Sequence, residues 1–142
     1  HQGNGTASIL ANDDAVFTFS IHGAKNFPFH KETSDLDIEL PDDTGDDTYL
    51  AALDDGLVQV FSRIDAQLVI YLAGADPFED DRLGRLRLTK AGLARRDAQV
   101  LNACKARGIP LAVAMAGGYA RNIDDTVDIH AATILTAQRL FA

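Results

Sequence analysis

Three runs of apolar residues along the chain are predicted to form buried β-strands. They cover residues 16–22, 68–73 and 111–115, and the second and third runs, LVIYLA and LAVAM, are almost free of polar residues. Such continuous apolar runs are typical of parallel strands that are covered on both faces. The pattern also allows a fourth, short strand around residues 37–40.

Between these runs the apolar residues recur at intervals of three and four, which is the spacing of one face of an α-helix. Helices are predicted at about residues 46–64, at about residues 90–107, and from Asp124-Asp125 onwards. Thr89 is suited to cap the second helix and Gly108 to end it. The residues expected to face the core are Leu50, Leu53, Leu57, Val60, Phe61 and Ile64 in the first helix, Leu93, Val100, Leu101 and Cys104 in the second, and Val127, Ala131, Ile134, Leu135 and Phe141 in the third.

The alternation of strands and helices predicts the α/β class, with a parallel sheet that has helices on both faces. Residues 1–142 carry no internal repeat and no linker, so a single domain is expected. In this class, ligands bind beyond the carboxyl ends of the strands. The connection at residues 23–47 is long for a compact domain, and long loops of this kind are often functional.

The composition narrows the classes of partner. The chain has a net charge of −8, so direct binding to nucleic acid phosphates is not expected, whereas a cationic ligand such as a lysine-rich tail or a polyamine is compatible. No apolar run is long enough to cross a bilayer, and no signal peptide is visible at the start. The single cysteine, Cys104, excludes an internal disulfide and a Cys-based zinc cluster, and a cytoplasmic location is expected.

Three predicted strand ends carry side chains suited to chemistry. His1 precedes a Gly/Asn-rich turn and would follow a strand, Asp76 comes just after the second apolar run, and Tyr119 follows Gly117 and Gly118 after the third. A His and an Asp from neighbouring strand ends suit a divalent metal with nitrogen and oxygen ligands. The two glycines would let a substrate approach the backbone, and the tyrosine hydroxyl could donate to a developing oxyanion.

Simpler interpretations of the same residues remain open at this point. An Asp after a strand is commonly a turn former, and a Gly-Gly-Tyr sequence is commonly a plain turn with a packed aromatic ring. An N-terminal His can also lack any role. The acidic run at residues 79–81 is interpreted as a solvated turn rather than as a metal cluster, and Cys104 as part of the core.

Eight short motifs occur along the chain in an order that is specific when they are taken together. They are HQGNGTA at residues 1–7, FSIH at 19–22, NFP at 26–28, SDLD at 34–37, AGADP at 73–77, DRLG at 81–84, LT at 88–89 and GGY at 117–119. In these motifs the chain resembles the histone deacetylase family of the arginase/deacetylase superfamily, and its bacterial and class IV-like branch in particular. The resemblance covers essentially the whole chain.

The resemblance implies a zinc site. In that family a strand ends in Asp-x-His, both of whose side chains bind a catalytic zinc, and the His corresponds to His1. The Asp of a Gly-x-Asp motif is the third ligand and corresponds to Asp76. The tyrosine after the glycine run polarises the amide carbonyl and stabilises the oxyanion, and it corresponds to Tyr119.

The resemblance also implies a substrate channel and a second cation. Phe27 corresponds to the aromatic residue that lines the acyl-lysine channel, and Leu83 to another position of the channel wall; Gly117 and Gly118 are further expected substrate-binding positions. Members of the family also bind a structural potassium ion, partly through a Ser that corresponds to Ser20. The implied cofactors are therefore zinc and potassium.

The chain departs from the family pattern at two places. The tandem His-His pair that acts as general base is absent, and so is the Asp of Asp-x-His. His22, His30 and His130 do not lie in a tandem context, so none of them is assigned the role of the base. We therefore expect the chain to be the C-terminal part of a deacetylase-like catalytic domain.

The resemblance implies a zinc-dependent amide hydrolase that removes acetyl groups from acetyl-lysine-type substrates. One alternative is a non-catalytic remnant that needs a partner to supply the missing strands, or that associates with itself as a homo-oligomer through an unpaired apolar edge. Another alternative keeps the fold and changes the substrate to a small acylated amine such as an acetylpolyamine.

We predict that the isolated 142-residue polypeptide has weak or no deacetylase activity, because two protein ligands remain where a catalytic zinc normally has three. Metal analysis and an acetyl-lysine assay on this polypeptide measure both properties. Stoichiometric zinc together with robust turnover would contradict the prediction.

Overall fold

The computed structural model describes residues 1–141, which form four strands and four helices. None of the helices in this range is both long and apolar enough to cross a membrane. The elements in chain order are α1 (Asn4–Leu10), β1 (Phe19–Gly23), β2 (Leu36–Leu40), α2 (Asp46–Arg63), β3 (Val69–Ala73), α3 (Lys90–Ala106), β4 (Leu111–Met115) and α4 (Ile123–Phe141).

All strand pairing in the described residues is parallel, as the apolar runs predict. β1 pairs with β2 so that Phe19 lies opposite Leu36, and β3 pairs with β4 so that Val69 lies opposite Leu111. The α/β class is confirmed. Within residues 1–141, however, the strands form two separate pairs rather than one continuous sheet.

The core forms where α2 and α3 pack against each other and against the strands. α3 contacts α2, α4 and β3, and its four predicted inward residues, which include Leu93 and Leu101, are all buried. Leu50 and Leu53 of α2 are buried in the same cluster. Thr89 caps α3 as predicted, because its Oγ1 accepts a hydrogen bond from the Gly92 N–H at 2.9 Å.

The predicted inward face of α4 is wrong. The buried residues of this helix are Thr126, Ile129 and Thr133. This face is turned towards α3 because the Thr133 hydroxyl donates a hydrogen bond to Asp97 Oδ2 at 2.5 Å. The five residues assigned to the core in this helix, namely Val127, Ala131, Ile134, Leu135 and Phe141, are exposed instead.

Three smaller expectations also fail. The first strand begins at Phe19 rather than at residue 16, because the backbone and hydroxyl of Thr18 bind the Asp35 carboxylate. The turn expected after residue 1 is the short helix α1. The second apolar run was expected to be covered on both faces, yet Ile70 is 66% exposed in the described chain.

A buried ion pair on α3 links this helix to β3 and to the residue that follows it, Gly74. Arg96 and Asp97 on α3 are both buried, and the guanidinium donates to Asp97 Oδ1 at 2.7 Å and to the Gly74 carbonyl at 2.6 Å. The Tyr71 hydroxyl donates to the same carboxylate at 2.6 Å. Burial opposes the charge on Arg96, but Tyr71 and Asp97 raise the pKa of its guanidinium, so it stays charged.

Arg96→Met is expected to lower the free energy of unfolding by about 3–5 kcal/mol, because it leaves the buried Asp97 carboxylate without its partner. Arg95→Met is the matched control, since Arg95 lies on the exposed side of the same helix and only approaches the exposed Asp47. The control is expected to change stability by less than about 0.5 kcal/mol in urea unfolding. Equal losses in the two variants would contradict this account.

Candidate functional site

His1 and Asp76 meet although they lie far apart in the sequence. The imidazole Nδ1 and the Asp76 Oδ2 are 2.6 Å apart, although their positions differ by 75 residues in the sequence. Asp76 is buried just beyond the end of β3, so the side chains converge at the carboxyl edge of the sheet.

The donors at this point fit zinc in their chemistry. Zinc commonly takes imidazole nitrogen and carboxylate oxygen as ligands, and a catalytic site usually has three protein ligands with a position left for water or substrate. His1 and Asp76 supply two of these. Residues 1–141 contain no group of three or more His, Cys, Asp or Glu side chains that could hold a metal.

Gln2 anchors the start of the chain next to His1. Its side-chain amide donates to the Glu32 carbonyl at 2.7 Å and to Asp37 Oδ1 at 3.2 Å, and its carbonyl oxygen accepts from the Glu32 N–H at 2.9 Å. Gln2 is buried, so these bonds are shielded from water. They fix the backbone from which the His1 imidazole projects.

The Gly117-Gly118 turn passes directly beside Asp76. The Ala75 N–H donates to the Gly117 carbonyl at 2.6 Å, and a Cβ added at Gly117 would lie 3.5 Å from Asp76 Oδ1. At Gly118 a Cβ would come within 2.9 Å of Ala75, closer than real Cβ contacts. The glycines therefore allow the close approach that brings the half-exposed Tyr119 to the same edge of the sheet.

Asn26 is a buried connector that the sequence interpretation did not single out. Its side-chain nitrogen donates to the Leu83 carbonyl at 3.0 Å and lies 3.3 Å from His1 Nε2, while its oxygen accepts from the Arg85 N–H at 3.3 Å. One side chain thus joins the loop after β1, the imidazole and the loop that carries Leu83. The NFP motif contains Asn26, but its contacts are long-range and invisible in the sequence.

The two loops that Asn26 links near His1 expose apolar side chains. Phe27 is 62% exposed and Leu83 is 56% exposed, and their assignment to a channel wall stays a prediction. Phe29, which the sequence interpretation missed, is 79% exposed, and its ring packs edge-on against Phe27 with centroids 6.1 Å apart. The Lys31 ammonium donates to the Asn26 and Pro28 carbonyls, both at 2.6 Å, and holds this aromatic loop in place.

Ser20 lies near the site but is engaged by its neighbours. Its hydroxyl accepts from the Gly3 N–H at 3.4 Å and lies 2.9 Å from His22 Nδ1. His22 is fully buried, and burial lowers the pKa of its imidazole. The potassium assignment to Ser20 stays a prediction.

The acidic run at residues 79–81 differs from the solvated turn that was expected. The Asp80 side chain is half-exposed and pairs with Arg121, in agreement with that interpretation. Asp81 is only 6% exposed, and its carboxylate accepts backbone N–H groups from two separate segments. Neighbouring acidic residues look alike in the sequence, and the partner that distinguishes Asp81, the Tyr119 N–H, lies 38 positions away.

Comparison with known protein families gives an unambiguous match. A family model described as the histone deacetylase domain matches residues 1–134. The match covers every residue that the motifs single out, from His1 to Tyr119.

Curated relatives support the same family. The chain is 48% identical over 130 residues to an uncharacterized protein of Picosynechococcus sp., covering 92% of this chain and 43% of that protein. It is 33% identical to histone deacetylase 2 of Arabidopsis thaliana, covering 90% and 35%, and 29% identical to the acetylpolyamine amidohydrolase of Mycoplana ramosa, covering 84% and 37%. The chain thus spans less than half of the length of each of these relatives.

A solved structure supports the fold. The crystal structure of the HDA15 HD domain matches with a TM-score of 0.76 at 24% identity, covering 97% of this chain and 43% of that one. At this identity the likeness concerns the architecture, and it agrees with the parallel α/β arrangement described above.

Asp76→Asn is expected to weaken zinc binding by the natural-length protein at least about tenfold, because the neutral amide is a poorer ligand than the carboxylate beside His1. Asp80→Asn is the matched control, since Asp80 lies on the same loop and points to Arg121 at the surface. Zinc affinity is measured by competition with a chromogenic chelator. Unchanged affinity in Asp76→Asn would remove Asp76 from the ligand set.

Proposed function

The chain belongs to the histone deacetylase domain family, and on that basis we propose that the protein is a zinc-dependent amide hydrolase that removes acetyl groups from acetyl-lysine-type substrates. Relatives named as deacetylases and as an amidohydrolase support the hydrolase class. The zinc dependence and the substrate are the specific parts of the proposal.

The observation that carries the proposal is the convergence of His1 and Asp76. These side chains approach to 2.6 Å from positions 75 residues apart, and the Gly117-Gly118 turn brings a tyrosine to the same edge. A structural role alone would not require an imidazole to meet a buried carboxylate at the edge of the sheet where a half-exposed tyrosine follows the neighbouring turn. Together they match the donors and the hydroxyl that metal-assisted amide hydrolysis uses.

The residues of the chain have distinct roles in this reaction. His1 Nδ1 and Asp76 Oδ2 would hold the zinc, which when bound supplies Lewis-acid polarisation of the acetyl carbonyl and lowers the pKa of water. The Tyr119 hydroxyl donates a hydrogen bond to the acetyl oxygen as negative charge develops on it. None of the described His residues is assigned the role of general base.

The walls of the site favour an extended, apolar acyl-amine side chain. Phe27, Phe29 and Leu83 expose apolar surface on the two loops that Asn26 links near His1, and this surface can pack against the methylene groups of a lysine side chain. The net charge of −8 favours the approach of substrates that carry additional positive charge, such as a lysine-rich peptide.

An acetylated polyamine is a second candidate substrate. The observation in its favour is the similarity to the acetylpolyamine amidohydrolase of Mycoplana ramosa. The same acidic surface suits a polyamine as well as a lysine-rich tail. Comparing kcat/KM for an acetyl-lysine peptide with that for an acetylated polyamine separates the two substrate classes.

Tyr119→Phe is expected to lower kcat of the natural-length protein about 100-fold or more on an acetyl-lysine peptide, because one oxyanion donor is lost while the ring remains. Its zinc content is expected to stay at the wild-type level. Arg121→Met is the control, since Arg121 lies two positions further on, is exposed and pairs only with Asp80 in the described chain. Wild-type turnover in Tyr119→Phe would refute the proposed role.

A further inference from the structure

Asp81 is a buried carboxylate that accepts three backbone hydrogen bonds. Its Oδ1 accepts from the Leu83 N–H at 2.8 Å and from the Gly84 N–H at 2.7 Å, and its Oδ2 accepts from the Tyr119 N–H at 2.6 Å. Within residues 1–141 no Lys, Arg or His forms an ion pair with this carboxylate. The hydrogen bonds that this carboxylate accepts in the described chain therefore come from backbone N–H groups.

The two oxygens of Asp81 bind two different segments. Oδ1 organises the turn that carries Leu83, and Oδ2 holds the segment that follows the Gly117-Gly118 turn. A reciprocal bond closes the connection, because the Arg82 N–H donates to the Tyr119 carbonyl at 3.0 Å. Tyr119 is thus fixed through both its N–H and its carbonyl, and both bonds lead back to residues 81–82.

The same turn also touches the Asp76 backbone. A Cβ added at Gly84 would come within 2.2 Å of the Asp76 carbonyl oxygen, so residue 84 must be a glycine for the segments to pack this closely. By holding the Gly84 N–H, Asp81 keeps that contact in place. One carboxylate therefore sets the position of Tyr119 relative to Asp76.

We propose that Asp81 is a positioning residue for Tyr119: its carboxylate fixes the tyrosine backbone, and with it the hydroxyl, relative to the carboxylate of Asp76. This inference rests on the proposed function, in which Tyr119 is the oxyanion donor. Misplacing a catalytic group by about 1 Å can lower the rate about 100-fold, so a positioning carboxylate affects turnover without touching substrate.

Asp81→Asn is the informative variant, because it keeps the shape of the side chain and removes one acceptor. An amide has one acceptor oxygen and one donor nitrogen, so in either orientation its NH₂ group faces a backbone N–H. Either the Tyr119 segment or the Leu83–Gly84 turn must move away. Asp80→Asn is the matched control, because the neighbouring Asp80 carboxylate pairs with an exposed Arg side chain.

A double-mutant cycle in the natural-length protein tests whether Asp81 acts through Tyr119. We expect Asp81→Asn to lower kcat on an acetyl-lysine peptide about 10- to 100-fold, and to lower it less than about threefold when Tyr119→Phe is already present. The same fold loss in both backgrounds would overturn the proposal, as would an effect confined to KM. Asp80→Asn should lower kcat less than twofold in either background.

Amide hydrogen exchange followed by NMR tests the geometry without any turnover. In the wild-type protein the Tyr119 amide is expected to be protected, and in Asp81→Asn its exchange should speed up at least about tenfold while amides of α3 such as Leu101 stay unchanged. A freely exchanging Tyr119 amide in the wild type would overturn the proposal even if the variant fails to fold. Full activity of Tyr119→Phe would instead refute the proposed function, and the exchange result would still decide the role of Asp81.

Discussion

The close approach of two chain segments at the end of the β3–β4 pair is the constraint on which the site depends. After β3 the chain runs through Gly74 and Ala75 to Asp76, and after β4 it runs through the Gly117-Gly118 turn. The 2.6 Å bond from the Ala75 N–H to the Gly117 carbonyl joins these segments, and a side chain at Gly118 would come within 2.9 Å of Ala75. A carboxylate and a tyrosine can share one edge because the backbone itself makes the contact.

Two buried charged side chains, Arg96 and Asp81, hold the backbone segments that meet at this edge. Arg96 donates to the Gly74 carbonyl at 2.6 Å, so the loop that presents Asp76 contacts a guanidinium paired with Asp97, and the Asp97 carboxylate also accepts from the Tyr71 hydroxyl. Asp81 holds the segments on the other side through backbone N–H groups. Buried charges of this kind are costly to leave unpaired, so they favour one arrangement of the loops over alternatives. Buried polar groups next to the site thus fix the loops that carry Asp76 and Tyr119.

The sequence contains the local part of this information and lacks the long-range part. The helices α2 and α3 follow from their apolar spacing, and the strands β3 and β4 from their apolar runs, because burial on one face imposes a period on the residues. The inward face of α4 could not be found in this way, since the helix carries apolar residues around much of its surface and a hydrogen bond from Thr133 to Asp97 selects the side. Among the site residues, His1, Asp76 and Tyr119 come from the family motifs. Asn26, Arg96 and Asp81 act through partners distant in the sequence, which no periodicity reveals.

The most direct test of the central claim is a crystal structure of the zinc-loaded, natural-length protein, with the metal located by anomalous scattering at the zinc edge. The account predicts one strong zinc peak bound by His1 Nδ1 and an Asp76 carboxylate oxygen at about 2.0–2.2 Å. The Tyr119 hydroxyl is expected to point towards the open side of that metal. A zinc peak elsewhere in the protein, or none at this edge of the sheet, would contradict the account.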